Sequence, residues 1–322
     1  MKIIFIAFIG LFLSAGMLQA QNDTMYIMKA GVVVNKYNVN TQVDSVIFYQ
    51  PTTSTNPINL TFVNIPGGTF TMGSPTTEVN RYSDEVEHQV TLSAFRMSKY
   101  EITNAQYAAF LNAKSIGSNG IWGSAPVYNT QALIYASSGS YDWGLHYTGS
   151  QWVPVAGCEN KPIIYVTWYG ATEFATYAGG TLPTESQWEY ACRGNTTTPF
   201  NTGACLSNVQ ANYNWAYPYN TCTNTITHYP GTTQTVGSYT ANAYGLHDMH
   251  GNVWEWCSDW YGAYPPTAQT NPTGATTGSY RVIRGGSWYN RAQYCRSAFR
   301  YYYYFYPDSY DYDLGFRVVL VP

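Results

Sequence analysis

The stretch YGLHDMHGNVWEW occupies residues 244–256, and the stretch RGGSW occupies residues 284–288. Both stretches combine tryptophan with glycine. We expect the tryptophans to be buried, because large aromatic side chains are mostly core residues. The pair Gly285 and Gly286 predicts a backbone turn, because glycine adopts conformations that other residues avoid. The two stretches together predict the centre of a folded domain.

The composition limits what can surround this centre. The chain has 322 residues, 45% of them hydrophobic, which is enough for one large domain or two ordinary ones. Charged residues make up only 10%, the net charge is −3, and basic residues do not cluster, so we expect no nucleic acid partner. The chain also contains 32 tyrosines, and this excess points to the segment near the C-terminus that is described below.

The N-terminus resembles a secretory signal peptide over residues 1–20. Lys2 supplies the positive start, residues 3–13 are apolar, and Ala20 is a suitable last residue before cleavage. The alternative is a membrane anchor, but a spanning helix needs about 20 apolar residues. We therefore expect a secreted, periplasmic or surface-displayed protein without a transmembrane span.

The rest of the chain divides into three parts. Residues 21–50 contain short β-prone runs and predict a small β unit, with strands near residues 25–28, 32–34 and 46–49. Residues 51–58 are rich in proline and threonine and predict a linker. Residues 59–322 form the main domain.

Three helix starts stand out in the main domain. Thr103 with Gln106 and Thr184 with Gln187 are capping boxes, and Thr167 predicts the cap of a helix that runs to residue 177. Elsewhere Gly, Asn, Thr and Pro interrupt short strands. The fold class predicted is therefore α+β with much irregular structure.

Six cysteines bear on the stability of an exported domain, because export permits disulfide bonds. Six cysteines allow about 15 pairings, and the sequence does not choose among them. Cys205 and Cys222 flank one short loop, so this pair is the best single prediction.

Several ordered motifs resemble the formylglycine-generating enzyme, or sulfatase-modifying factor, family. They lie within residues 60–320 and include the two opening stretches. The resemblance implies a fold related to that of C-type lectins. The other motifs are IPGGTFTMGS at 65–74, YEITN at 100–104, a stretch from Pro162-Ile163 to Trp168, LPTESQWEY at 182–190 and LGFR at 314–317.

The resemblance implies a structural calcium site in residues 248–255. Its ligands would be the side chains of Asp248 and Glu255 and the carbonyls of Gly251 and Val253. Calcium takes about six to eight oxygen ligands, backbone carbonyls included. The alternative for Glu255 is a buried carboxylate that pairs with an arginine such as Arg284.

The residues required for the family's chemistry are incomplete. The enzymes oxidise a cysteine of a sulfatase with copper and oxygen, and they use two cysteines five residues apart after the Gly-Gly-Ser motif. Two thiolates suit soft Cu(I). Here Asn290 stands at the first position and Cys295 at the second, so we expect no copper and favour a protein that is not an enzyme.

Residues 289–313 read YNRAQYCRSAFRYYYYFYPDSYDYD, and we call them the tyrosine-rich segment. Nine of these 25 residues are tyrosine, and neither helical nor strand periodicity explains the run at 301–306. Tyrosine, serine, asparagine and aspartate are the residues of antibody-type binding loops. The segment therefore predicts a ligand-binding surface.

The segment also resembles the variable region of proteins diversified by retroelements. In those systems adenines of asparagine codons are randomised, which yields Tyr, Phe, Ser, Asp, His or Arg but not Lys, Glu, Gln, Met or Trp. The segment lacks Lys, Glu, Met and Trp, and Gln293 is its single glutamine. The predicted ligand-binding residues are Tyr289, Asn290, Arg291, Tyr294, Phe299, Tyr301, Tyr302, Tyr303, Tyr304, Phe305, Tyr306, Ser309, Tyr310, Asp311, Tyr312 and Asp313.

Three functions remain open at this level. The favoured one is a secreted or surface-displayed protein that binds a protein or glycan on a cell or phage surface. The second is a formylglycine-generating oxidase or an allied oxidase, and the third is a structural surface protein without a specific ligand. The missing cysteine at position 290 separates the first from the second.

Overall fold

The computed structural model describes residues 24–29, 32–38 and 58–321. The chain divides into two units, residues 1–54 and 55–322. In the first unit, strands β1 (Thr24–Lys29) and β2 (Val32–Asn38) pair antiparallel. The predicted signal peptide, the run at 46–49 and the linker up to residue 57 lie outside the described residues.

Threonine caps begin the three α-helices of residues 58–321. These helices are α1 (Asn104–Ala113), α2 (Trp168–Tyr177) and α3 (Glu185–Arg193). The caps are Thr103, Thr167 and Thr184. The first and third form complete capping boxes, in which the glutamine three residues on bonds back to the cap. The three predicted helix starts are therefore confirmed.

Short strands make up most of the remaining regular structure, and a mixed α+β fold with few helices results. The strands of the second unit are β3 (Phe62–Ile65), β4 (Gly68–Met72), β5 (His88–Leu92), β6 (Phe95–Ser98), β7 (Leu145–Tyr147), β8 (Trp152–Pro154), β9 (Trp254–Trp260), β10 (Gln269–Thr270), β11 (Arg281–Arg284), β12 (Arg300–Tyr301), β13 (Leu314–Gly315) and β14 (Val319–Leu320). They form sheets with the orders β10-β5-β4, β12-β11-β9-β13, β14-β6-β3 and β7-β8. The predicted fold class is confirmed.

The four-stranded sheet fixes both ends of the tyrosine-rich segment. Strand β11 lies antiparallel to β9 and to β12, whereas β13 lies parallel to β9. The chain leaves β11 at Gly285 and Gly286, whose φ angles are 98° and 72°. It returns to the same sheet at β13, so residues 285–313, which include the tyrosine-rich segment, are held between two strands that share the neighbour β9.

The tryptophans of the sequence motifs are core residues, as predicted. Trp188, Trp256 and Trp288 are fully buried, and Trp168 and Trp254 are nearly so. Phe316 is also fully buried and packs edge-on against Phe174 of α2 and Tyr107 of α1. Helices α1 and α2 thus pack with Trp254, Trp256 and Ile283 of the sheet, whereas α3 packs with the alternate residues Cys257 and Val282.

A buried ion pair network joins α3 to β11 and to the floor of the segment. The Arg284 guanidinium lies 2.5 Å from Glu189 and 3.1 Å from Glu185, and none of these three side chains is exposed. Arg284 also donates to the carbonyls of Ser297 and Ala298. One buried arginine therefore ties three parts of the fold together.

The disulfide predicted between Cys205 and Cys222 is present. Cys158, Cys192, Cys257 and Cys295 are free and buried. Among the described residues, no helix has both the length and the apolar character that a membrane crossing requires.

Replacing Arg284 with alanine should destabilise the fold strongly, because Glu185 and Glu189 would each lose one of their two buried arginine partners. Removing one partner of a buried ion pair costs about 3–5 kcal/mol. Urea denaturation of Arg284→Ala should show this loss. Arg291→Ala removes an exposed arginine, whose guanidinium lies over the Tyr217 ring, and should cost less than about 1 kcal/mol. Equal losses for both variants would contradict the role of the network.

Candidate functional site

The tyrosine-rich segment has a buried floor and an exposed upper part. Residues 295–300 are all buried and end with Arg300, the first residue of the short strand β12. Residues 301–312 contain no buried residue. The division falls within β12, whose Arg300 is buried and whose Tyr301 is half-buried, although both residues pair with β11.

Ten aromatic residues of the segment form what we call the aromatic face. Tyr303 and Tyr304 are the most exposed, at 51% and 63% of their surface. Together with the other members they present rings that are exposed or half-buried, and none is buried. The aromatic face consists of Tyr289, Tyr294, Tyr301, Tyr302, Tyr303, Tyr304, Phe305, Tyr306, Tyr310 and Tyr312.

Aromatic residues from distant parts of the chain support these rings from below. Tyr302 stacks on Tyr261 with ring centroids 3.5 Å apart. Tyr310 stacks on Tyr135 at 3.8 Å. Similarly, Tyr312 stacks on Tyr141 at 4.1 Å, and Tyr301 stacks on the buried Trp254 at 5.6 Å. The rings are therefore ordered before any ligand arrives, which lowers the entropy that binding must offset.

The sequence did not identify the tyrosines that act as supports. Tyr135 and Tyr261 lie in loops and Tyr141 ends a short 3-10 helix, all before the segment along the chain, and their local sequences carry no motif. The only signal was the excess of tyrosine over the whole chain.

The loop that carries Tyr304 is fixed by hydrogen bonds to its backbone. The Tyr304 carbonyl accepts from the Ser309 hydroxyl at 3.0 Å and from the Tyr306 amide at 3.1 Å. Tyr304 has a φ of 66°, a left-handed conformation that costs about 1–2 kcal/mol for a residue with a side chain. The most exposed ring of the face is thus held out by a strained but well-bonded turn.

A cavity of about 730 Å³ lies on the aromatic face. This volume falls in the range of small-molecule and side-chain binding pockets. Outside the segment, the residues that line the cavity are Tyr82 and Trp254. Within the segment they are Tyr289, Asn290, Tyr294, Tyr301, Tyr303, Tyr304, Phe305, Ser309, Tyr310, Asp311, Tyr312 and Asp313.

Four of the predicted ligand-binding residues lie outside the lining. Phe299 is 2% exposed and packs under Tyr294, so its assignment to the binding surface was wrong. Phe299 directly precedes Arg300, which pairs with Arg284 of β11, so Phe299 belongs to the buried floor. Arg291 is exposed but lies against Tyr217. Tyr302 and Tyr306 belong to the aromatic face beside the cavity.

Two carboxylates lie at the cavity wall. Asp313 is 6% exposed, and its side chain accepts a hydrogen bond from the Ser287 hydroxyl. Burial, and then the charge of Asp311, raise the pKa of Asp313 to about 7. Burial likewise raises the pKa of Asp311, although its Oδ1 accepts the Tyr312 amide at 2.8 Å. Both groups would be stabilised by a positive charge.

Asn290 takes part in the local structure at the position where the family enzymes have a cysteine. Its side chain lies 2.7 Å from the Ser287 hydroxyl, and its backbone carbonyl accepts from the Asn214 amide at 2.8 Å. Cys295, at the second cysteine position, is fully buried, and burial raises the pKa of its thiol. The site therefore offers one deeply buried thiol and an amide instead of two thiolates.

Two of the predicted calcium ligands are the side chains of Asp248 and Glu255. Asp248 has one carboxylate oxygen without a hydrogen-bond partner among the described residues, whereas both oxygens of Glu255 are hydrogen-bonded. Asp248 Oδ2 accepts from the Gly237 amide, and Oδ1 is buried without a partner within residues 58–321. The two Glu255 oxygens accept hydrogen bonds from Nε and Nη2 of Arg317, each at 2.7 Å, and Oε2 also accepts one from Trp188 Nε1. Glu255 is thus paired with an arginine, and that arginine is Arg317 rather than Arg284.

Glu101 adds a third carboxylate near Asp248 and Glu255. Its Oε1 is buried without a partner in the described part of the chain. Burial, then Asp248, then Glu255 raise the pKa of Glu101 well above its usual value. Among residues 58–321, no group of three His, Cys, Asp or Glu side chains is arranged to hold a metal. Any cation here would depend on backbone carbonyls, such as those of the buried residues Gly251 and Val253.

The chain is similar to a known protein family along most of its length. The sulfatase-modifying factor enzyme 1-like domain matches residues 49–321. The formylglycine-generating enzyme of Mus musculus is 32% identical over 293 residues, with 83% of this chain and 77% of the enzyme covered. The formylglycine-generating enzyme of Streptomyces coelicolor is 34% identical over 288 residues, with 79% of this chain and 87% of the enzyme covered.

Two solved structures share the fold. Treponema denticola variable protein 1 superposes with a TM-score of 0.58 at 23% identity, covering 82% of this chain and 95% of that chain. PvdO from Pseudomonas aeruginosa superposes with a TM-score of 0.59 at 25% identity, covering 80% of this chain and 93% of that chain.

The burial pattern predicts opposite effects for surface and floor substitutions. Tyr303→Ser with Tyr304→Ser removes exposed rings and should shift the melting temperature by no more than about 2 °C. Phe299→Ala empties a core position and should cost about 3–5 kcal/mol, which corresponds to a fall of about 10 °C. Thermal unfolding followed by circular dichroism would measure both. Unfolding of the double tyrosine variant would show that those rings are core.

Proposed function

This chain belongs to the sulfatase-modifying factor enzyme 1-like domain family, and we propose that it uses the scaffold of that family to bind a ligand through the aromatic face. The observation that carries the proposal is the cavity of about 730 Å³, all but two of whose lining residues come from the tyrosine-rich segment. A single continuous segment therefore determines what this cavity can recognise.

The physical properties of the aromatic face are those of a binding surface. Exposed apolar area of this kind usually marks an interaction site. Tyrosine offers a large contact area with a polar hydroxyl and few rotatable bonds. The stacks of Tyr310 on Tyr135 and of Tyr312 on Tyr141 fix the rings in advance. The face would thus bury rigid side chains in a complex without first ordering them.

We assign the ligand to a cell or phage surface, as a protein or glycan, because the N-terminus resembles a signal peptide. Diversification of the segment belongs to the same proposal. It is supported by the segment's composition and by the separation of its exposed rings from its buried floor. Treponema denticola variable protein 1, whose name states that it varies, has the same fold. A reverse transcriptase gene and a near-copy of the coding sequence for residues 289–313 beside this gene would establish diversification.

A formylglycine-generating oxidase is the less favoured function. The resemblance requires two thiolates for copper, and Asn290 replaces the first. The asparagine is integrated into the fold through Ser287 and Asn214. The remaining Cys295 is buried, and the raised pKa of its thiol opposes formation of the thiolate that copper needs.

Calcium is part of the proposal as a structural ion at Asp248. The unpartnered buried oxygen of Asp248 supports it, as does the excess of three buried carboxylates over one arginine, Arg317. In this arrangement Asp248 and the carbonyls of Gly251 and Val253 would contact the ion. Glu255 would share its charge between the ion and Arg317.

Loss of exposed tyrosines should abolish ligand binding without unfolding the protein. Labelled protein would be applied to a panel of intact bacterial cells and phage particles. Tyr303→Ser with Tyr304→Ser should reduce the bound amount about tenfold or more, since central aromatic hot spots contribute about 2 kcal/mol each. The control is Tyr217→Ser, an exposed tyrosine outside the cavity. Equal binding by the double variant and the unmutated protein would overturn the proposal.

Removal of calcium should lower the melting temperature, because an ion that binds only the folded state stabilises it. Chelation by EDTA should have this effect on the unmutated protein and none on Asp248→Ala. Asp308→Ala removes an exposed carboxylate elsewhere and should keep the response. Glu255→Ala is unsuitable, since it would leave Arg317 unpaired whether or not calcium binds. A chelator that leaves the unmutated protein unchanged would exclude the site.

A further inference from the structure

We propose that the aromatic cavity receives a positively charged side chain, a lysine or arginine, presented by a protein partner. This inference rests on the proposed binding function and specifies its ligand. It follows from the charges that line the cavity, from what the nearby arginines already bind, and from the electrostatic character of tyrosine rings.

The cavity lining contains two acidic side chains and, among its described residues, no basic one. The acidic side chains are those of Asp311 and Asp313. None of the described residues that line the cavity is a lysine, arginine or histidine. Asp313 accepts a hydrogen bond from Ser287, and Asp311 accepts one from the backbone of Tyr312. These donors are neutral, so no cation of the lining offsets the negative charge that Asp311 and Asp313 carry when they are ionised.

The arginines of the segment are engaged elsewhere. Arg296 is fully buried and paired with Glu78 and Glu85. Arg300 is buried and paired with Glu185. Arg291 is exposed, and its guanidinium lies 4.4 Å from the centre of the Tyr217 ring, outside the cavity lining. The protein's own cations therefore do not neutralise Asp311 and Asp313.

A buried carboxylate without a counter-charge is costly, because burial disfavours its charged form. Asp313 is nearly inaccessible yet lies at the cavity wall. An ammonium or guanidinium group from a ligand would supply both the missing charge and donors for charge-assisted hydrogen bonds. An anionic ligand would instead meet repulsion from both carboxylates. A neutral glycan would leave the carboxylates without a counter-charge.

The rings favour the same ligand charge. The face of a tyrosine ring is negative, and a cation over it gains about 0.5–2 kcal/mol depending on desolvation. Tyr289, Tyr303, Tyr304, Tyr310 and Tyr312 all line the cavity beside the two carboxylates. Five tyrosine rings and two carboxylates thus line one space, which makes it an aromatic cavity with an acidic wall. Such a cavity fits the apolar stem and charged head of lysine or arginine.

The test uses three peptides of equal length on the full folded protein. They are hexalysine, hexalysine acetylated on every side chain, and hexaglutamate, each titrated by calorimetry at ~0.15 M salt, where charges farther apart than about 8 Å are screened. Hexalysine should bind, and the acetylated and glutamate peptides should not. Asp311→Asn with Asp313→Asn should weaken hexalysine binding about tenfold or more.

The matched control is Asp308→Asn, which removes an exposed charge from the same segment outside the cavity lining. It should weaken hexalysine binding less than about threefold, because its charge is screened by solvent. Melting temperatures accompany each titration. If the double asparagine variant does not fold, Asp311→Asn alone replaces it, because Asp311 is only half-buried and asparagine keeps the acceptor for Tyr312.

The inference and the binding function fail in different ways. Absence of hexalysine binding, or an equal loss for Asp308→Asn and Asp311→Asn, would overturn the cationic ligand. Binding of the acetylated or glutamate peptide that disappears in Tyr303→Ser with Tyr304→Ser would also overturn it, but would leave the binding function intact. If hexalysine binding resists that tyrosine pair, the aromatic face is not the binding surface.

Discussion

Four buried arginines surround the tyrosine-rich segment, one before it, two within it and one after it. Each is paired with a buried glutamate in another part of the fold. An arginine stays charged at any ordinary pH, so its burial requires a fixed carboxylate partner. The path of the segment is therefore set at four points by charge neutralisation. The pairs are Arg284 with Glu185 and Glu189, Arg296 with Glu85, Arg300 with Glu185, and Arg317 with Glu255.

Because of these pairs, buried residues stabilise the segment, and different, exposed residues form its surface. The backbone is held from below by Arg284, which also bonds the carbonyls of residues 297 and 298. Phe299 fills the core beneath, while Tyr303 and Tyr304 project above it. Substitutions at the projecting positions change what the surface contacts and leave the supporting pairs intact. Because the supporting pairs lie beneath the surface, exchange of the projecting side chains should cost little stability.

Local signals in the sequence were sufficient for some features and not for others. Thr103 and Thr184 predict helix starts because a capping box involves only four neighbouring residues. Cys205 and Cys222 were predictable because a short loop brings them together. The burial of Phe299 could not be predicted from an aromatic run of uniform character. It depends on the pairing of β12 with β11, which is set by residues far away in the chain.

The partner of Glu255 shows the same limit. An arginine partner could be anticipated, but the choice between Arg284 and Arg317 depends on the sheet order. Strand β13 lies parallel to β9 and brings the chain from Leu314 onward alongside Glu255. Arg284, at the end of β11, points instead to α3, where Glu185 and Glu189 lie. Sequence motifs identify the residues of such a network, whereas the topology decides the pairs.

This domain pairs several of its buried carboxylates with arginines, whereas other buried carboxylates of the described residues form no salt bridge with an arginine. Glu85, Glu185, Glu189 and Glu255 all have a guanidinium, and Asp259 accepts the backbone N–H at the start of α3. Asp248 keeps a buried oxygen without a partner in the described chain, and Asp311 and Asp313 line a cavity that contains no cationic residue. Positive charge from outside the chain would complete both places. Asp248 is buried, whereas the aromatic cavity has a volume of about 730 Å³, which is enough for a side chain. The same electrostatic rule thus relates the proposed structural ion to the proposed ligand.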